Sequence, residues 1–191
     1  MKILFNCTTN FKGGAVQTAT NFILEALKDS SVEWLFMVSR PIAEQLVTFG
    51  VDISKFFVFD LSPAKNYGMR RKLLTIEKEV SPDLVYTMSG PAYVKFINTH
   101  VLGCSNGFMT HAKISDFFHY GFFGFMKELL RTVYQLYFLR KADCWIFQID
   151  AARRGAVKRA FIPIDKTFVV PNACGDHYRN FCENHACNKI R

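Results

Sequence analysis

No stretch of this 191-residue chain approaches the ~18 uninterrupted apolar residues that a membrane-spanning helix requires. The longest candidate, Tyr120 to Leu139, is broken by Lys127, Glu128 and Arg131. The N-terminus, MKILFNCTTN, holds one lysine and a short apolar run from Ile3 to Cys7, too little for a secretory signal. There is no internal repeat, no low-complexity tract and no linker rich in Pro, Gly or Ser, so a single domain is expected. Acidic residues are scarce: 16 Asp and Glu face 24 Lys and Arg, a net charge of +8. Half the residues are hydrophobic and 21% are charged, which excludes a disordered tail.

Phenylalanine is what the chain has in excess, with 20 residues. A basic chain this aromatic points to an anionic partner: nucleic acid, a phosphorylated substrate or a membrane surface. Nucleic acid is not the expected one, because the basic residues are spread over several helices with no zinc-finger, RRM or helix-turn-helix pattern. Six cysteines in a chain without a secretory signal read as free thiols, and Cys7 and Cys144 sit in apolar, strand-like runs. The expectation is a cytoplasmic protein that can sit peripherally on the inner face of the cell membrane.

Apolar runs of strand length alternate with amphipathic stretches of helix length. Strands are expected at 2–7, 32–39, 56–61, 84–88, 100–104, 144–149 and 167–170. Helices are expected at 15–28, 42–49, 65–80, 91–97, within 117–140, and at 151–160. This rhythm implies an α/β fold, a doubly wound and mostly parallel sheet of Rossmann-like type covered on both faces. Near-continuous apolar strands agree with burial on both sides.

In such sheets ligands bind beyond the carboxyl ends of the strands. The first loop there contains Gly13 and Gly14 at the start of a helix, where backbone N–H groups can approach a phosphate. A glycine turn that packs helix on strand is the alternative, since the full G-x-G-x-x-G fingerprint is absent. Ser89 and Gly90 follow the fourth strand, and Ser105, Asn106 and Gly107 follow the fifth, where a hydroxyl and an amide could hold a sugar or simply make a turn. Arg153 and Arg154 open the last helix at the same edge and could meet a phosphate or an acidic sugar; a solvated face is the plainer reading.

Together these residues resemble the N-terminal half of a family 4 glycosyltransferase, of the retaining GT-B type. MKILFNCTTNFKGGAVQTATNFILEAL resembles that family's first strand, glycine loop and first helix, and PDLVYTMSGPAYVKF its fourth strand and helix. KADCWIFQIDAARRGAVKRAFIPIDKTFVVPNACGDHY resembles the stretch that closes the N-terminal domain. The chain departs from the pattern where Ile149 and Asp150 replace the usual Ser region, and where Asn172-Ala173-Cys174-Gly175-Asp176 stands for Asn-Gly-Val-Asp.

The resemblance implies transfer of a sugar from a nucleotide-sugar donor to a saccharide or lipid-linked acceptor, in cell-surface polysaccharide or glycolipid synthesis. It implies no metal and no other cofactor. Residues 1–172 would be the Rossmann-like acceptor-side domain, and 173–191 a linker stub toward an absent C-terminal domain that carries the donor site and the catalytic residues. The chain alone is then expected to be inactive. Gly13 and Gly14 would approach the donor diphosphate from the acceptor side. The family's histidine after the fifth strand is replaced by Ser105-Asn106, with His111 as a candidate substitute. The alternative is a non-catalytic α/β module that binds a ligand or a membrane.

The segment 117–141 mixes aromatics with basic residues. On a helix, Phe125, Leu129, Val133 and Leu136 share one side, while Leu130, Tyr134, Tyr137 and Phe138 spread around much of the rest. An apolar surface wider than one stripe needs a second partner, which is expected to be an anionic membrane surface, a missing domain or the chain's own sheet. Arg70, Arg71 and Lys72, with Lys127 and Arg131, would supply the attraction. In the tail, Cys174, His177, Cys182 and Cys187 have a spacing that could bind zinc, although a linker stub is preferred.

Overall fold

A computed structural model describes residues 1–111, 119 and 121–171. The apolar runs become β1 (Lys2–Cys7), β2 (Glu33–Ser39), β3 (Phe57–Phe59), β4 (Leu84–Thr87), β5 (Thr99–Cys104), β6 (Cys144–Phe147) and β7 (Thr167–Val169). They form one seven-stranded sheet in the order β3-β2-β1-β4-β5-β6-β7, with every pairing parallel. The helices are α1 (Gly14–Ala26), α2 (Arg40–Thr48), α3 (Tyr67–Val80), α4 (Gly107–Thr110), α5 (Gly121–Leu139) and α6 (Asp150–Ala160). The expected doubly wound, Rossmann-like sheet is what the residues build.

Alternation along the central strands divides the core between the two faces. Phe5, Cys7, Phe36 and Val38 pack with Ala19, Ile23, Ile42 and Leu46 of α1 and α2. Leu4, Met37 and Val85 point the other way, onto Leu73 and Ile76 of α3. In β5 and β6, Leu102, Cys104, Trp145 and Phe147 meet Leu139 and the alanines of α6 (Ala152, Ala156 and Ala160). Those alanines recur at helical spacing, so α6 lies close against the strands with little side chain between.

Two expectations are corrected. Residues 91–97 do not form a helix. Tyr93 takes φ +63°, outside the helical range, and the N–H groups of Ile97 and Asn98 donate to the buried Glu77 carboxylate at 2.7 and 2.8 Å. Ala92, Val94 and Phe96 are instead buried one by one beneath α3. In α5, Val133 is not on the inward side: it is exposed, while Thr132 and Leu139 are buried. A helix apolar on nearly all sides does not reveal by periodicity which side faces inward.

Candidate functional site

The sheet reverses its winding between β1 and β4: β2 and β3 extend to one side of β1, and β4 to β7 to the other. The loops after β1 and β4 therefore leave in opposite directions and open a crevice, the usual ligand position in sheets of this kind. Beside that opening the two strands are joined by the Met88 N–H, which donates to the Asn6 carbonyl at 2.9 Å.

The loop after β1 is built for close approach. Gly13 has φ +65° and ψ −152°, a conformation essentially restricted to glycine. A Cβ placed on Gly13 or on Gly14 would meet nothing within 4 Å. Packing of helix on strand therefore does not explain either glycine. No side chain caps the N-terminus of α1, and its first turn holds no acidic residue. That leaves the positive end of the helix dipole facing open space. An open depression of about 430 Å³ lies there, lined by Lys12, Gly13, Gln17 and Gln45 among others.

Two features of this loop carry no sequence signal. Asn10 is buried, its carbonyl accepts from the Ser39 hydroxyl, and its amide Nδ2 has no hydrogen-bond partner. Beneath it runs a buried polar chain. The Asn6 Oδ1 accepts from Thr8, Asn6 Nδ2 donates to Thr87 Oγ1 at 3.1 Å, and Thr87 Oγ1 lies 2.8 Å from His100 Nε2. Burial holds the His100 imidazole neutral and lowers its pKa from 6.5 to about 4, with the nearby Asp143 carboxylate opposing the shift. The other ring nitrogen has no partner.

The remaining predicted residues divide by role. Ser89 has φ +56°, unusual for a residue with a side chain, and its hydroxyl lies 3.4 Å from that of Ser105. These two hydroxyls share the carboxyl edge of β4 and β5. Gly90 is a packing residue: a Cβ there would come 2.7 Å from Leu102. Asn106 caps α4, accepting from the Phe108 N–H, and its Nδ2 donates to Gln135. His111 is exposed at the end of α4, with Nδ1 2.7 Å from the Thr110 hydroxyl. Arg153 and Arg154 both pair with Asp150, at 2.7 and 2.6 Å.

The basic residues assigned to a membrane surface also separate. Arg70 turns inward, donating to the carbonyls of Pro63 and Ala64 and lying 5.5–5.7 Å from the ring centroids of Tyr93, Tyr134 and Phe138. Lys72 donates to the Val58 carbonyl and sits over Phe59. Arg131 pairs with Glu128 and covers Phe108. Arg71 and Lys127 are exposed. Among the described residues no group of three or more His, Cys, Asp or Glu could hold a metal ion. The tail set Cys174, His177, Cys182 and Cys187, like the expected linker 173–191, lies outside the described residues.

No protein-family model and no curated protein matches the chain. Solved structures do resemble it. The UDP-GlcNAc 2-epimerase from Neisseria meningitidis bound to UDP-GlcNAc superposes with a TM-score of 0.58 at 12% identity, over 100% of this chain and 54% of that one. The S. aureus MnaA-UDP co-structure gives 0.58 at 13%, over 88% and 43%. A glycosyltransferase from Rickettsia africae ESF-5 gives 0.51 at 13%, over 97% and 49%. The chain thus shares its Rossmann-like fold with these structures and spans about half their length.

Proposed function

We propose that this chain is the acceptor-side half of a glycosyltransferase that uses a nucleotide sugar. The observation that carries this reading is the uncapped N-terminus of α1 behind Gly13 and Gly14, placed beside the reversal point of the sheet. First-turn N–H groups and the helix dipole favour a phosphate oxygen there, and Lys12 adds a positive charge at the rim. Ser89 and Ser105 would meet the hydroxyls of the acceptor sugar, and the donor would be held mainly by groups outside this chain. The fold shared with enzymes described as bound to UDP-GlcNAc or UDP supports a nucleotide-sugar ligand.

A second reading, nucleotide-sugar epimerisation without an acceptor, draws on the higher superposition scores of the epimerases, 0.58 against 0.51. One titration tests what the two share. UDP-GlcNAc added to the ¹⁵N-labelled chain is expected to shift the amides of residues 13–16 and 88–90 weakly, in the millimolar range. Gly14→Val, whose side chain would fill the approach, is expected to abolish those shifts without unfolding the chain. No shift at these amides at any accessible concentration sinks both readings. If the shifts occur, incubating the chain joined to a donor-side half with labelled UDP-GlcNAc distinguishes transfer to an added acceptor from conversion to the C2 epimer.

A further inference from the structure

The side of α5 turned away from the sheet is apolar along its whole length. Phe122, Phe123, Leu130, Val133 and Tyr137 are 74, 88, 62, 57 and 54% exposed, and Met126 joins them. At 3.6 residues per turn these six side chains fall within about a third of the helix circumference. The opposite side holds the buried Thr132 and Leu139. Exposed apolar surface of this extent marks an interaction site.

The charges along this face have one sign. Exposed Lys127 borders it on one flank, and Arg140 and Lys141 follow the end of the helix. The only carboxylate on α5, Glu128, is 16% exposed and pairs with Arg131 at 2.5 Å. A second copy of the chain docking face to face would bring the same cationic rim against itself. An anionic surface would not. The helix is also held in place beforehand, because Arg70 of α3 sits among Tyr93, Tyr134 and Phe138. No described helix is long and apolar enough to cross a bilayer, so the contact would lie in the interface plane.

We propose that this face of α5 docks on an anionic phospholipid bilayer, with the six apolar side chains in the headgroup region and Lys127, Arg140 and Lys141 facing lipid phosphates. The proposal does not rest on the glycosyltransferase reading. Of the basic residues expected at a membrane, it retains Lys127 and leaves out Arg70 and Arg131, which are engaged within the protein.

Co-sedimentation of the whole chain with phosphatidylcholine vesicles, with and without phosphatidylglycerol, tests it. Binding is expected only with phosphatidylglycerol and is expected to weaken with added salt. Phe123→Glu and Leu130→Glu should each weaken it about tenfold or more, with unchanged circular dichroism because both side chains are largely exposed. No sedimentation with the anionic vesicles, equal sedimentation with neutral ones, or full binding by the doubly substituted chain overturns the proposal. A lipid-free mass of two copies that Leu130→Glu reduces to one assigns the face to self-association and overturns it as well.

Discussion

Gly155, in the middle of α6, faces the backbone carbonyl of Thr110 so closely that a Cβ on it would lie 1.9 Å from that oxygen. The two residues bring α4 and α6 into backbone contact and thereby place the Ser105–His111 segment at the carboxyl edge of the sheet. Gly155→Ala should cost about 1–3 kcal/mol, because a backbone carbonyl cannot rotate away as a side chain can. Helix propensity alone would predict the opposite sign. Urea unfolding of the two proteins decides between them, and an alanine variant as stable as the original would show that α4 can move aside.

The two glycines of the first loop should separate in their effects. Gly13→Ala forces a side chain into a glycine-only conformation and is expected to lose about 1–3 kcal/mol. Gly14→Ala adds a methyl group in open space at the start of α1 and should leave stability unchanged or raise it by up to about 1 kcal/mol. Thermal melts of both variants check this, and equal destabilisation would contradict it.

His100 should make the fold acid-sensitive. Its pKa is about 4 in the folded protein and 6.5 in an ordinary setting, so between those values the unfolded chain binds the extra proton. Stability is therefore full above about pH 6.5, falls as the pH drops through that window, and levels off below about 4, a loss of about 3 kcal/mol from this residue. His100→Gln should flatten that part of the stability profile. A variant with the original slope between pH 4 and 6.5 would assign the effect elsewhere.

Cys7 and Cys104 should resist alkylation in the native protein. Both are buried. Burial raises the Cys7 thiol far above its ordinary range and the Cys104 thiol to about 11. Little thiolate exists at pH 8, and reagent cannot reach it. Peptide mapping after brief iodoacetamide treatment should find Cys144, which is partly exposed, modified well before either. Equal labelling of all three would show that the sheet opens readily.

The strands were readable because each is a nearly unbroken apolar run, long enough to be buried on both faces, as in the run from Ile3 to Cys7. Gly13 and Gly14 were readable because the strand-to-helix step fixes where such a loop must lie. The segment 91–97 was not, because what holds it is a carboxylate from Glu77, 20 residues earlier. Nor was the chain from Asn6 through Thr87 to His100, which joins residues 81 and 13 positions apart that have no local signature. Gly155 carries no local signal either, since what requires a glycine there is the Thr110 carbonyl, 45 positions earlier. Contacts set by sequence neighbours were legible, and contacts set by topology were not.

The strand order also bears on how the chain assembles as it is made. β2 joins β1, β3 joins β2, and β4 then closes the still open side of β1 through pairings such as Phe5 with Tyr86. From there β5, β6 and β7 each add to the edge left by the strand before. No strand has to insert between two that are already paired. The sheet can grow outward in the order of synthesis, with only a rim exposed at each stage. β1 waits longest, holding one bare edge until residues 84–87 have left the ribosome, which gives mispairing its longest opportunity there.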